Sequence, residues 1–209
     1  MSALIPTLMP AVVPVIVPVI VPMVMFALVA SITPGPVNII ATSTGAGFGY
    51  GRTIPHILGA TIGFCVILLL MGAGLSTIFI ANPTAINVLT VLGAAFLFYT
   101  SYKIAFAPVG NEGQRQDTPP SFLSGLLCQW LNPKAWIVSV SGISVFAPEG
   151  GIIMLYFVAA FFAACFLSIS LWALAGLSIQ GLLRTPSISR LFNRLMGGLQ
   201  AALVVYILL

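Results

Sequence analysis

The absence of charge from a long N-terminal stretch most constrains what this chain can fold into. The first charged residue is Arg52, so fifty-one residues pass without Asp, Glu, Lys or Arg. Of the 209 residues, 60% are apolar and 5% are charged, whereas soluble domains carry roughly 25% charge. A membrane-spanning helix needs about 20 apolar residues, and several stretches qualify. A water-soluble domain is excluded, and the sequence predicts an all-α polytopic membrane protein.

Breakers and polar residues divide the chain into about six hydrophobic spans. A solvated segment at 108–121 separates two halves of three spans each. We interpret the chain as a single membrane domain, 1–209. Its parts are a proline-rich lead (1–22), a first repeat (23–107), the loop (108–121) and a second repeat (122–209). The predicted spans are 14–47, 54–80, 85–106, 122–144, 151–176 and 191–209.

The cations at the span ends predict the orientation. Six of them lie in or beside the odd-numbered loops, and none lies in the loops between spans two and three or four and five. Cytoplasmic loops carry an excess of Lys and Arg, so the odd-numbered loops are expected in the cytoplasm and both termini outside. This arrangement is that of a multi-pass protein of the bacterial inner membrane. The six cations are Arg52, Lys103, Arg115, Arg184, Arg190 and Arg194.

Prolines recur every fourth residue in the lead, from Pro6 to Pro22. In a helix each would remove a hydrogen bond and leave a carbonyl free along one stripe. That stripe would have to face other helices or water rather than lipid. The alternative is an extended, polyproline-like lead that becomes helical only near Pro18 or Pro22. The sequence leaves both open and favours no functional role for the lead.

Two breaks occur at corresponding places in the two halves. Thr33-Pro34-Gly35-Pro36 interrupts span one, and Asn132-Pro133-Lys134 interrupts span four. Because each half has three spans, the second half must lie upside down relative to the first. We therefore predict two inverted three-helix repeats, as in many secondary transporters, with helices 1 and 4 broken mid-membrane.

The breaks predict a binding site. Thr33 and Asn132 are each a capping residue followed by a proline, which is favoured at the first helical position. Each new half-helix would begin with unpaired N–H groups that attract anions, and freed carbonyls would accept from cations. Such a site suits the zwitterion of an amino acid. The expected substrate-binding residues are Thr33, Pro34, Gly35, Pro36, Asn38, Gln129, Trp130, Asn132, Pro133 and Lys134.

Lys134 is expected near mid-membrane, where an ammonium costs about 2.5–3.5 kcal/mol. It should therefore face the interior and have a partner, although no acidic residue lies in a span. Backbone carbonyls, Gln129, Asn38 and a substrate carboxylate are the candidates. Snorkelling to one interface is the alternative.

The remaining polar and reactive residues predict little chemistry. His56 is expected at the interface beside Arg52. The cysteines fall singly in apolar runs and are expected to be small buried hydrophobes. One histidine and three loop acids provide no metal cluster and no nucleophile–base pair, so we expect neither an enzyme nor a metal or other cofactor. The cations form no basic stripe of the kind that nucleic acid requires.

The same residues resemble a known family. The segment Ser31–Pro36, the glycine-rich stretch Gly45–Arg52 and the segment Gln129–Lys134 are similar to those of the LysE/RhtB amino-acid exporters. The resemblance covers roughly 24–209. The text at Asn38-Ile39 and Trp172–Gly176 is most similar to the cysteine/O-acetylserine exporter branch. Many members have Asp after the Pro-Gly-Pro sequence, and here that residue is Val37.

The resemblance implies a secondary transporter that exports small neutral amino acids by alternating access. Cysteine, O-acetylserine, homoserine and threonine are candidate substrates, and proton antiport is the implied coupling. The expected partners are the amino acid and the lipid bilayer, and a homodimer is left open. The rival hypotheses are export of another small solute or a metal ion, or a non-transporting membrane assembly subunit.

Overall fold

The computed structural model describes residues 5–75, 82–109, 118–148 and 150–208. Within these ranges the protein has eight α-helices and no strand, which confirms the all-α prediction. The acidic residues Glu112, Asp117 and Glu149, together with Arg115, lie outside the described residues. The helices are α1 Ile5–Ile32, α2 Pro36–Phe48, α3 Tyr50–Leu70, α4 Pro83–Ala105, α5 Phe122–Trp130, α6 Pro133–Phe146, α7 Gly151–Ser178 and α8 Pro186–Leu208.

Two of the long apolar helices lie over predicted spans two and five. The α3 helix continues through a π-helical turn, Met71–Leu75, and its 26 residues and the 28 of α7 are each long and apolar enough to cross a membrane. A third candidate span is the pair α1 and α2, which is bent by 59° at its break. These features are those of a polytopic membrane protein.

The proline-rich lead is helical. The α1 helix runs without interruption from Ile5 to Ile32, so of the two alternatives the structure has the helix with prolines at every fourth position. The side chains described in α1 begin at residue 18. Its C-terminal half packs against α7 and brings the first break to the interior.

Small residues let the helices approach to backbone contact. A Cβ added to Gly45 of α2 would overlap the carbonyl of Ala173 in α7, and one added to Gly176 of α7 would overlap the carbonyl of Thr42. The α3 and α5 helices meet in the same way, through a glycine on each helix that contacts the backbone of the other. Close approach of this kind is the usual means of helix association in membranes, because lipid is as apolar as the side chains it would replace.

An aromatic cluster forms the apolar core beside the breaks. The rings of Phe157 and Phe161 are fully buried and meet edge to face, with centroids 5.0 Å apart. Phe64 of α3 and Phe26 of α1 complete the cluster, at 4.8 and 6.0 Å from Phe161. Edge-to-face and tilted rings are the favoured geometries for aromatic pairs, so this cluster gives the interior a rigid apolar wall.

Candidate transport site between two broken helices

The first break lies between α1 and α2 at the predicted segment, but the second half-helix begins two residues later than predicted. Gly35 is the N-cap of α2 and Pro36 its first residue, and Gly35 has no side chain to cap the helix. The prediction that Thr33 caps a helix starting at Pro34 is therefore wrong. The Thr33 N–H still bonds to the Val29 carbonyl, 3.2 Å away, so α1 retains a helical hydrogen bond up to Thr33, and the chain leaves the helix at Pro34, which has no N–H.

Side chains satisfy each of the last carbonyls of α1. The Thr33 hydroxyl donates to Ala30 O at 3.1 Å, and the indole N–H of Trp172 donates to Ile32 O at 3.1 Å. The Asn38 amide donates to Ser31 O and Thr33 O at 2.9 and 3.0 Å. A helix C-terminus leaves four carbonyls without intrahelical partners. Here the Asn38 amide, one turn into α2, joins the two half-helices.

The second break follows the prediction. Asn132 is the N-cap of α6, and its side chain accepts from the Lys134 N–H at 3.1 Å, while Pro133 is the first helical residue. Trp136 donates its indole N–H to the Trp130 carbonyl at the end of α5, at 2.7 Å. Trp130 in turn donates to Gly63 O of α3, at 3.1 Å. Trp130 therefore ties α5 to α3.

Lys134 connects the two breaks. Its ammonium donates to the Thr33 hydroxyl at 2.7 Å and to the Thr33 carbonyl at 3.3 Å. Of the predicted partners, a backbone carbonyl is present, whereas Asn38 is bonded to α1 instead. The ammonium lies at the C-terminal end of α1, where the helix dipole favours a cation. Gly35 leaves this side open, since a Cβ there would lie 3.6 Å from the Lys134 ammonium.

A cavity of about 40 Å³ lies between the breaks. A water molecule requires roughly 10–15 Å³ on this measure, so the cavity has the volume of a few waters and is smaller than an amino acid. Lys134 is the charged residue among its lining residues. Five predicted site residues line it, and Thr33, Pro34, Pro36, Trp130 and Pro133 are not among the lining residues. The five are Gly35, Asn38, Gln129, Asn132 and Lys134.

The open N-terminus of α2 also faces this cavity. Val37 and Asn38, the residues that follow Pro36, both line it. Their N–H groups belong to the first turn of α2, where a helix has no carbonyl partner of its own. The positive ends of a helix and of a lysine thus meet at one cavity.

Sequence reasoning missed the opposite side of the cavity. Ser31 and Cys165 lie 3.5 Å apart there, between their Oγ and Sγ atoms, beside Phe64 and Phe161. All three cysteines are buried as predicted, but Cys165 also contributes a polar contact. Ser31 falls within the Ser31–Pro36 segment that carried the family resemblance, whereas nothing in the sequence pairs it with a residue 134 positions away.

His56 is buried between helices. Its side chain is 0% exposed, and its Nδ1 lies 3.2 Å from the Ser124 hydroxyl of α5. The sequence did not predict this burial, and neighbouring Arg52 is exposed. The cause is the backbone contact between α3 and α5, in which the His56 carbonyl lies against Gly125.

A second and larger cavity, which we name the vestibule, has a volume of about 690 Å³. It lies between α2, α4, α5 and α8, and residues on both sides of the 108–121 segment contribute to its rim. It contains hydroxyl groups and one lysine. Its polar lining residues include Ser43, Thr44, Thr100, Lys103, Ser124 and Cys128.

Comparison with known proteins identifies the family. The family profile described as LysE type translocator matches residues 28–209. The chain belongs to the LysE family. It is 30% identical over 191 residues to proteins named cysteine/O-acetylserine efflux protein in Escherichia coli strain K12 and Shigella flexneri serotype 5b, covering 87% of this chain and 91% of each relative. No solved structure matches.

Membership in this family makes the chain a translocator, that is, a transport protein. Among the described residues no group of three or more His, Cys, Asp or Glu is placed to hold a metal ion. The two breaks with their cavity are thus the candidate transport site of a LysE-family protein.

Proposed function

We propose that this chain exports small amino acids with a neutral side chain, and that it binds the zwitterion between the two broken helices. The contact that carries the proposal is the Lys134 ammonium on Thr33, at a cavity that also receives the open N-terminus of α2. The names of the relatives support cysteine and O-acetylserine as substrates, and homoserine and threonine share the same small polar character.

The carboxylate of the substrate would bind between Lys134 and the first turn of α2. Helix N-termini attract anions through their free N–H groups and the dipole. A carboxylate brings a full negative charge to its hydrogen bond with an ammonium, whereas the Thr33 oxygens are neutral acceptors. The substrate carboxylate therefore competes well with Thr33 for the Lys134 ammonium. Lys134 would then turn from Thr33 toward the substrate.

The ammonium of the substrate would take the position that Lys134 leaves. Once Lys134 moves, the Thr33 hydroxyl and the second lone pair of the Thr33 carbonyl, which also accepts from Asn38, can accept from the substrate ammonium. The Ser31–Cys165 pair and the phenylalanines would then contact the side chain of the substrate. One exchange of partners at Thr33 thus accommodates both charges of a zwitterion.

We further propose the six-span, inverted-repeat organisation, with one membrane domain and repeats at 23–107 and 122–209. Its support is the pattern of helix packing. Equating α1 to α4 with α5 to α8 makes the contact of α1 with α7 equivalent to that of α5 with α3. The contacts of α3 with α7 and of α4 with α8 become equivalent to themselves, as a two-fold axis requires.

The two cavities support the proposal of alternating access. The central cavity is too small for an amino acid, so binding requires the half-helices to part. The vestibule reaches Ile40 on α2 and Cys128 on α5, one turn or less from Asn38 and Gln129 of the central cavity. With the orientation proposed from the cations, the vestibule opens to the cytoplasm, from which an exporter loads. Proton antiport across the bacterial inner membrane would provide the driving force.

Efflux from loaded membrane vesicles tests the function. We expect labelled cysteine, O-acetylserine, homoserine or threonine to leave vesicles containing this protein faster than vesicles without it. Lysine and glutamate serve as charged comparison substrates and are expected to be poor. Preferential efflux of another solute class or of a metal ion, or no efflux of any substrate at equal protein abundance, would contradict the proposal.

A further inference from the structure

His56 is a buried titratable side chain that the binding scheme above does not use. It is the one histidine of the sequence and is 0% exposed. Its Nε2 has no hydrogen-bond partner among the described residues, while its Nδ1 lies 3.2 Å from the Ser124 hydroxyl. A polar group buried without a partner costs free energy, so its presence in an apolar helix interface calls for a role.

Ser124 connects this imidazole to the vestibule. The Ser124 side chain is half-buried and lines the vestibule, whereas His56 lies behind it between α3 and α5. The hydroxyl both donates and accepts. A proton can therefore pass between the imidazole and vestibule water through one side chain.

We infer that His56 is the proton-carrying group of this exporter, an inference that rests on the proposed proton antiport. In the conformation described here the proton leaves toward the vestibule. The imidazolium gives its Nδ1 proton to the Ser124 oxygen, and Ser124 gives its own hydroxyl proton to water. The products are a neutral imidazole, an unchanged serine and a hydronium ion, so that atoms and charge balance.

The location of His56 links its charge to the site. The α5 helix contacts α3 at His56 near its start, through Gly125 and Ser124, and at Gly63 near its end, through Trp130. Directly after Trp130 comes the second break. A charged imidazole is costly in a dry interface, so proton binding favours a conformation in which α3 and α5 separate enough to hydrate the ring. That movement displaces Trp130 and the second break, which carries Lys134.

The surroundings contain no other charged partner for the imidazole among the described residues. Arg52, one turn earlier on α3, is exposed. The α2 helix has no titratable residue. None of the titratable groups on the other helices packed against α3 hydrogen-bonds to His56. These groups are Cys128 on α5, Lys134 on α6, and Tyr156 and Cys165 on α7.

Two measurements on purified protein in liposomes separate coupling from transport. The first is exchange of labelled O-acetylserine for unlabelled O-acetylserine at equal pH. The second is its accumulation against a one-unit pH difference, with the membrane potential held at zero. Antiport with one proton concentrates substrate about tenfold per pH unit at equilibrium. We expect wild-type protein to show both activities.

The variant His56→Gln should keep exchange and lose accumulation, because the amide can still bond to Ser124 but carries no proton. The matched control is Thr61→Val on the same helix. It also removes a buried polar group without a described partner, in this case a hydroxyl, and it should show both activities. Ser124→Ala keeps the imidazole and should reach the wild-type accumulation ratio more slowly.

Three results would overturn the inference. Tenfold accumulation by His56→Gln would place the proton elsewhere, and loss of its exchange would make His56 a structural residue. Exchange without accumulation in the wild type would remove proton coupling while leaving the exporter function intact. Absence of exchange for every amino acid would instead contradict the proposed function itself. A wild-type rate in Ser124→Ala would exclude the serine relay.

Discussion

At the scale of single residues, Lys134 is central to the candidate site, because among the described residues its charge is compensated by the C-terminal end of α1 rather than by an acidic side chain. It is the second residue of α6 and reaches the carbonyl of Thr33, directly after α1 and 101 residues earlier in the chain. The Thr33 hydroxyl, held at 2.7 Å, is its second acceptor. Neutral acceptors stabilise an ammonium less than a carboxylate does, so the contact can be exchanged for a substrate carboxylate.

Replacing Lys134 with methionine tests that exchange. Lys134→Met keeps the stem and removes an insertion cost of about 2.5–3.5 kcal/mol, so abundance in the membrane should be maintained. Efflux should fall, because a charge-assisted bond of about 1.5–3 kcal/mol is lost, which is roughly ten- to a hundred-fold in affinity. Lys134→Arg should also be impaired, since a planar fork does not replace a compact ammonium.

The measurement is efflux rate against substrate concentration at matched abundance. Arg194→Gln is the control, because it removes one positive charge at an exposed position of α8. Wild-type kinetics in Lys134→Met would show that the lysine only tethers α6 to α1.

At the scale of helices, backbone contact through glycine decides the packing. The α4 and α8 helices meet at Gly197, where an added Cβ would lie 2.6 Å from both Ser101 O and Ala105 Cβ. The adjacent Gly198 has no atom within 4 Å of such a Cβ. Both positions are glycines in the same helix with nearly the same sequence around them. They differ only in whether the neighbouring helix contacts them.

This pair predicts opposite effects of one mutation. Gly197→Ala should lower the free energy of unfolding by about 1–3 kcal/mol, because the helices must separate to admit the methyl group. Gly198→Ala should raise it slightly, by about 0.5–1 kcal/mol, since alanine has the higher helix propensity. Thermal unfolding in detergent measures both. Equal melting temperatures for the two variants would contradict the α4–α8 contact.

At the scale of the whole molecule, topology is the property on which direction of transport depends. The vestibule and the proposed cytoplasmic loops lie at the same end of the helices. Lys103 lines the vestibule from the last turn of α4, close to the 108–121 loop. An exporter loads its substrate in a conformation whose cavity opens to the cytoplasm.

Reporter fusions test the orientation. A fusion within 108–121 should be cytoplasmic, and fusions at both termini should be outside, because the cations are confined to the odd-numbered loops. An alkaline phosphatase reporter, active outside, and a fluorescent reporter, active inside, provide matched readings. A cytoplasmic C-terminus would contradict the six-span count.

The sequence by itself determined the features that depend on local chemistry. Uncharged apolar runs of this length predict membrane helices, and the sequences Thr-Pro-Gly-Pro and Asn-Pro predict interruptions near Pro34 and Pro133. The Asn132 cap was predictable because its partner, the Lys134 N–H, is two residues away. The candidate site at the two breaks was predicted from the same local rules.

Only the tertiary structure decided which groups meet. Both Pro34 and Pro36 could begin a helix, and the structure begins α2 at Pro36, with the Thr33 hydroxyl directed back to Ala30 and the Asn38 amide bonded to the end of α1. Lys134 hydrogen-bonds to Thr33, and His56 is buried against Ser124, which lies 68 positions later in the sequence. These contacts depend on the register of helices packed through glycine, and register is a property of two surfaces that no single segment of sequence contains.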